Sequence, residues 1–172
     1  MYQFTSERLG FRTIQRSELP AFVDVYASNR YYLSFFEPDA STDLVRMEKE
    51  WDEDSKLPTW SAMGIYRRSD GLPVGFIDYL QAHPRLGTPH IGLYIIRHDL
   101  HGQGYGTESL EAFLAHMQAN RSWQTVRLGV IAQNEPALRF WEARGFRRFS
   151  TAHMELLHGP TEIILMERNL GA

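Results

Sequence analysis

Apolar positions along the chain switch between a two-residue and a 3.6-residue period, and the switches divide it into alternating strands and helices. Leu9 and Phe11 alternate with Arg8, Gly10 and Arg12 as a first strand, and Ser17 offers an N-cap ahead of Leu19, Phe22, Val23 and Tyr26 at helical spacing. A second amphipathic stretch carries Leu44, Met47 and Trp51 on one face and Glu48, Glu50, Asp52, Glu53 and Asp54 mostly on the others, ending before Pro58. Trp60 to Tyr66, Val74 to Leu80 and Ile91 to Ile96 read as three strands of an antiparallel meander, punctuated by "RRSDGLP" and "AHPRLGTP". Leu110, Phe113, Leu114 and Met117 then give a helix one buried face, and Val126, Leu128 and Val130 alternate as a strand. Asn134 with Pro136 starts a further helix with Ala137, Leu138 and Trp141 on its apolar face and Gly145 placed to end it; Phe146 to Phe149 and Glu162 to Glu167 are the last strand candidates.

No repeat, low-complexity tract or linker interrupts this pattern, so residues 1–172 are expected to form a single domain. Its class is α/β of the α+β type, with a mixed, mostly antiparallel sheet of about seven strands and about four helices. A hydrophobic content of 43% and a formal charge of -3 describe an ordinary soluble protein with no global attraction for nucleic acid. Cysteine is absent, which excludes disulfides, thiolate metal sites and a cysteine nucleophile. The start "MYQFTSERLG" has no apolar h-region and no apolar run approaches a membrane span, so a cytoplasmic location without membrane association is expected.

The stretch "HGQGYGTES", His101 to Ser109, sets three glycines on alternate positions between a strand and a helix. Unpaired N–H groups and a partial positive charge collect at a helix N-terminus, and glycines let backbone approach an anion closely. A P-loop would need Lys-Ser/Thr after its last glycine, whereas Gly106 is followed by Thr107 and Glu108. A dinucleotide fingerprint would need a different glycine spacing and a βαβ context. On the residues alone, the choice lies between an anion seat and a tight strand-to-helix turn.

The order of elements, with "IIRHDLHGQGYGTESL" and "LGVIAQNEPALRFWEARGF", resembles the GNAT superfamily of acyl-CoA-dependent N-acetyltransferases from Arg8 to Asn169. His101, Gly102, Gln103, Gly104, Tyr105 and Gly106 match that family's pyrophosphate loop, Q/R-x-x-G-x-G/A. Leu128, Val130, Asn134, Ala137, Trp141 and the pair Gly145-Phe146 match its following strand and helix. The resemblance implies acetyl-CoA as co-substrate, its pyrophosphate cradled by backbone from about Gly102 to Thr107 with the Thr107 hydroxyl adding a donor. It also implies a pantetheine arm pairing beside Ile95 and Ile96, with Asn134, Trp141 and their helix lining the far side. A backbone N–H of the adjoining strand would polarise the thioester carbonyl.

Acetylating an amine of pKa near 10.4 at neutral pH needs a base or an acceptor of lower pKa. His90 stands where relatives often carry a carboxylate, and is either a base or a strand-edge histidine. Tyr94 is expected on the same strand face by the two-residue period, as a further catalytic candidate or a core or cleft-wall tyrosine, and Asp78 is a second base candidate or an exposed charge. Many relatives use a tyrosine acid where this chain has Trp141, which cannot donate a proton to a thiolate; Trp141 is then expected to pack beside the coenzyme. His101 replaces the usual Arg or Gln, making the charge at the loop's first position pH-dependent. His98 and His101 lie three apart, but without a third ligand no metal is expected.

For the acceptor side, "NRYYLSFFEP" supplies Tyr31, Tyr32, Phe35 and Phe36 as pocket walls or core contacts, and "EKEWDED" is either a cation-attracting run or a solvated face. The expected partners are acetyl-CoA and an amine, without nucleic acid or membrane, in a monomer or homodimer. The first-choice activity is acetyl transfer to a primary amine of a small molecule. Transfer to a protein N-terminus or lysine, and non-catalytic acyl-CoA binding, are the alternatives.

Overall fold

The computed structural model describes residues 1–171. Its strands are β1 (Phe4–Thr5), β2 (Leu9–Thr13), β3 (Trp60–Arg67), β4 (Pro73–Leu80), β5 (His90–Ile96), β6 (Thr125–Ile131), β7 (Arg147–Leu156) and β8 (Gly159–Asn169). They form one sheet of eight strands in the order β1-β2-β3-β4-β5-β6-β8-β7. Every neighbouring pair is antiparallel except β5 and β6, which are parallel. Those two share a single register pair, His90 with Arg127, backed by the Arg127 amide on the Pro89 carbonyl at 3.0 Å. Past that point they part, and the middle of the sheet opens.

Because residues alternate across a strand, the sheet feeds two cores. On one face, Leu110, Phe113, Leu114 and Met117 of α4 (Tyr105–Arg121) and Leu138 and Trp141 of α5 (Glu135–Ala143) pack with Val74, Ile77 and Ile91. The other face is covered by a 3-10 turn (Arg16–Phe22) and by α1 (Val23–Ala27), α2 (Arg30–Leu33) and α3 (Leu44–Asp54). Here Leu19, Phe22, Val25 and Met47 meet Phe76 and Ile95. Each large apolar side chain removed from water stabilises the fold by about 1.5–3 kcal/mol. The caps follow the residue chemistry: Asp43 accepts the Arg46 amide at 2.9 Å to start α3, and Gly145, at φ +83°, ends α5.

Three expectations need correction. Among the described residues, strands number eight and α-helices five: β1 is too short to show a period, and the first helical stretch is broken into a 3-10 turn and two short helices around Pro20 and Asn29. Ser17 does not cap; Gln15 does, in a reciprocal capping box with Glu18. The terminal strands are a long hairpin rather than two short segments. β7 is solvent-exposed along nearly its whole length, so no apolar alternation marks it in the sequence.

Candidate functional site

The end of β5 delivers the chain to α4 through a compact loop. After Arg97, the residues His98–Leu100 make one 3-10 turn; Gly102 (φ +76°) and Gly104 (φ +82°) then reverse the backbone so that α4 begins at Tyr105. Gly104 is the N-cap and no side chain caps it, which leaves the first amides of a 17-residue helix directed outward. Glu108 fixes this mouth to the start of β2, accepting the Arg8 amide at 2.7 Å, the Arg8 guanidinium at 2.6 Å and the Ser6 hydroxyl at 2.6 Å. Arg8 also lies over the Tyr105 ring and donates to the Gln103 carbonyl at 3.0 Å, while the Gln103 amide holds the Asp99 carbonyl. The side chains of Gln103 and Tyr105 therefore shape the loop, and its backbone is what faces outward.

Thr107 brings in a residue the sequence reading missed. Its hydroxyl accepts Arg144 Nη1 at 2.8 Å, and Arg144 Nε is buried with no hydrogen-bond partner among the described residues. A guanidinium with an unsatisfied donor thus stands at the mouth of α4, at the C-cap of α5. The only sequence signal was its position just before Gly145. His101 sits on the same loop, its ring within hydrogen-bonding distance of the Ile96 carbonyl at 3.0 Å and 4.9 Å from the ring of His98. Among the described residues, no group of three or more His, Asp or Glu is arranged to hold a metal ion.

Beyond His90 the edge of β5 that faces β6 is left unpaired. The Arg97 amide pairs back to Val74 on β4, so by alternation the backbone groups of Tyr94 and Ile96 face the opening, while those of Ile95 face β4. The Ile96 carbonyl is already taken by Asn29 Nδ2 at 3.0 Å and by His101. Pairing at this edge is therefore left to the Ile96 amide and the Tyr94 backbone, which narrows the expectation for Ile95 and Ile96. Across the opening, Asn134 caps α5 through the Ala137 amide at 3.3 Å, and the Tyr31 hydroxyl spans from α2 to the Gln133 carbonyl at 3.1 Å. Trp141, expected beside the coenzyme, packs in the core beneath α5. It is 7% exposed and packed by Phe146, Phe140 and Tyr94, and the half-buried Phe140 ring is what a Cβ at Gly106 would meet first.

A bulge reverses the expected pairing of His90 with Tyr94. Tyr79 lies opposite Ile91 and Asp78 opposite Leu93, which leaves Gly92 as an extra residue in β5 and shifts the alternation by one. His90 faces the α3 side, whereas Tyr94 faces α4 and binds the Gly106 carbonyl and the Ser109 hydroxyl, each at 2.5 Å. Burial pushes the Tyr94 phenol above its ordinary range, so it is a neutral anchor for the first turn of α4. Gly92 is required here: a Cβ at that position would overlap Asp78 Oδ1.

On the α3 side lies a cavity of about 380 Å3, within the size range of small-molecule sites. Asp78, His90, Tyr32, Trp60, Glu50 and Asp54 are among its walls. Asp78 is 8% exposed, and its Oδ1 accepts the Leu93 amide at 3.1 Å. Burial, followed by the negative charge of Asp54, pushes its carboxyl up to about 8 against the pull of the Leu93 amide. Trp60 Nε1, which favours the charged form, is buried without a partner of normal hydrogen-bond geometry. Burial, and then His83 and Arg127, lower His90 to about 4; the ring is neutral at pH 7 and its Nδ1 is buried and unpaired. His83, 5.4 Å from His90 ring to ring, was also missed in the sequence.

The two acceptor-side stretches divide by face. Tyr32 and Phe36 wall the cavity, while Tyr31 and Phe35 pack against each other with Tyr31 exposed. Glu50, Glu53 and Asp54 turn toward the cavity, whereas Glu48 and Asp52 hold Arg16 on the outside at 3.1 and 2.8 Å.

A family model described as an acetyltransferase (GNAT) domain matches residues 8–147. Among solved structures, an acetyltransferase from Thermus thermophilus is 24% identical with a TM-score of 0.73, over 99% of this chain and 100% of the other. A GNAT-family acetyltransferase from Bacillus anthracis is 16% identical with a TM-score of 0.74, over 96% of each chain. Spermidine N-acetyltransferase from Vibrio cholerae, solved with CoA and spermine, is 16% identical with a TM-score of 0.72, over 95% of this chain and 96% of that one. Comparison with curated protein sequences gives no match. These structural likenesses share the mixed, mostly antiparallel architecture described above.

Proposed function

We propose, from the premise that the chain belongs to the GNAT acetyltransferase family, that it moves an acetyl group from acetyl-CoA to a primary amine of a small molecule, with Asp78 as the general base. The observation that carries this reading is Asp78 itself, a carboxylate nine-tenths buried in the wall of a cavity beside the opening in the sheet. Stability alone gives no reason for an unpaired carboxylate there.

The residues present fit the coenzyme. A Cβ at Gly102 would meet nothing within 4 Å, the amides at the start of α4 are uncapped, and the unsatisfied Arg144 donor adds positive charge. This is the chemistry that binds a pyrophosphate. The open edge at Tyr94 and Ile96 suits an extended amide-bearing chain. When bound, acetyl-CoA supplies an acetyl thioester to be attacked from the cavity side.

Asp78 then does what the acceptor requires. An alkylammonium of pKa near 10.4 must lose a proton before attack, and a carboxylate near 8 takes one more readily than an ordinary aspartate. His90, held neutral, is a weaker base and is left as a hydrogen-bond acceptor in the wall. Trp141 provides no acid, and none is demanded, since a thiol of pKa about 8.5 is a tolerable leaving group. Tyr94 points away from the cavity and has no part in proton transfer. A cavity of about 380 Å3 suits a small acceptor, and the spermine-bound relative supports an amine of that size.

Thiol release from acetyl-CoA across an amine panel tests the reading. Activity is expected to rise with pH through a limb near 8 that Asp78→Asn abolishes and His90→Gln retains. Acceptor-independent thiol levels across the whole panel, with CoA binding intact by calorimetry, would overturn it.

A further inference from the structure

We propose that the C-terminal turn of α3 forms a second ammonium subsite, so that the acceptor is an aliphatic diamine or polyamine rather than a monoamine or an amino acid. The inference rests on the acetyl-transfer reading above and adds the charge pattern of the acceptor. Four carboxylates, Glu50, Glu53, Asp54 and Asp78, line the cavity against one guanidinium, Arg46. Arg46 is shared between Glu37 and Glu50, and Glu50 also accepts the Tyr26 hydroxyl at 3.0 Å. Among the described residues, Glu53, Asp54 and Asp78 make no ion pair, and neither does Lys56 just beyond the helix.

The placement of these acids works against the helix that carries them. A helix C-terminus bears about half a negative charge and is stabilised by basic residues, yet the last turn of α3 has none and ends on Glu53 and Asp54. Burial and the neighbouring charges of Glu50 and Glu53 push Asp54 upward, which marks an uncompensated negative field. Charges set against local stability and aimed into a cavity are expected where a ligand supplies the missing cation. The Tyr32 and Trp60 rings in the same wall suit the methylene chain and the ammonium of such a ligand. An amino acid would bring its carboxylate into this field and be repelled. A monoamine would leave the α3 carboxylates unpaired once its single ammonium lay at Asp78.

The test compares 1,4-diaminobutane with 1-aminobutane, which match in carbon chain and differ by one ammonium. The ratio of their kcat/KM values is expected to favour the diamine by about tenfold or more, and to fall by about tenfold in Asp54→Asn and on raising salt. Because Asp54→Asn removes like-charge repulsion, its melting temperature should equal or exceed the parent's, which separates a lost subsite from a damaged fold. A parent that acetylates 1-aminobutane or an amino acid as well as the diamine overturns the subsite and leaves acetyl transfer standing, as does a ratio unmoved by Asp54→Asn. Thiol release with none of these amines, nor with any other amine of the panel while CoA still binds, overturns both readings.

Discussion

Replacing Asp78 by Asn should make the protein more stable while removing its activity. The carboxyl rises from an ordinary value of 3.8 to about 8 in the folded chain. The folded state therefore holds the proton more tightly than the unfolded one, and the associated stability is complete below pH 4 and lost as pH climbs toward 8. At ~1.4 kcal/mol for each pH unit between the two values, the loss is about 6 kcal/mol above pH 8 and about 4 kcal/mol at pH 7. The adjoining cavity admits water that screens the charge, so we expect about half of the latter, ~2 kcal/mol, or roughly 4–8 °C in Tm. Asparagine keeps an oxygen for the Leu93 amide, and it has no charge to bury. Urea unfolding of parent and variant from pH 4 to 9 reads this group together with its coupling to Asp54 and Glu50. The stability difference should be near zero at pH 4, grow to pH 8 and level off. A difference of opposite sign, or one constant with pH, refutes the reasoning. The same substitution should lower acetyl transfer by ~10²–10⁴-fold, the usual worth of a general base.

Gly92→Ala places a methyl group on top of Asp78 Oδ1 and must push the carboxylate or the bulge aside; a loss of ~1–3 kcal/mol in denaturant unfolding is expected, together with reduced turnover. Arg144→Ala removes the partner of Thr107 and the cation at the mouth of α4, and calorimetry should show coenzyme A binding about tenfold weaker with a shallower salt dependence. Tyr94→Phe deletes the hydroxyl that holds Gly106 and Ser109; it should cost ~1–2 kcal/mol and speed amide exchange at the start of α4, with the pH limb of the rate left where it was.

Much of this arrangement is legible in the chain because it rests on local chemistry. The glycines from Gly102 to Gly106 mark the strand-to-helix turn, Asn134 and Gly145 bound α5, and the apolar periods separate the elements that carry the two cores. What the sequence hides is set by tertiary detail. A single extra residue at Gly92 undoes the period-2 inference that joined His90 to Tyr94, and nothing local announces it. Trp141 sits at a motif position, yet the packing of Phe146 and Tyr94 around it decides that it belongs to the core. Arg144 and His83 gain meaning only from neighbours 37 and 7 residues away, Thr107 and His90. In "EKEWDED", helical spacing sends Glu50, Glu53 and Asp54 inward and Glu48 and Asp52 outward, but which face meets a cavity depends on where α3 docks.

The parting of β5 and β6 gives the sheet two rims in its interior, in addition to those at β1 and β7. An outer rim invites any passing strand and is a standing aggregation hazard. Two rims that part from His90 and Arg127 would instead receive a narrow, extended segment between them. Such a wedge would select by width and shape through main-chain groups, largely indifferent to substitution of the strand side chains that point away from it. That indifference leaves the walls on either side of the sheet free to change their chemistry without loss of the grip between them.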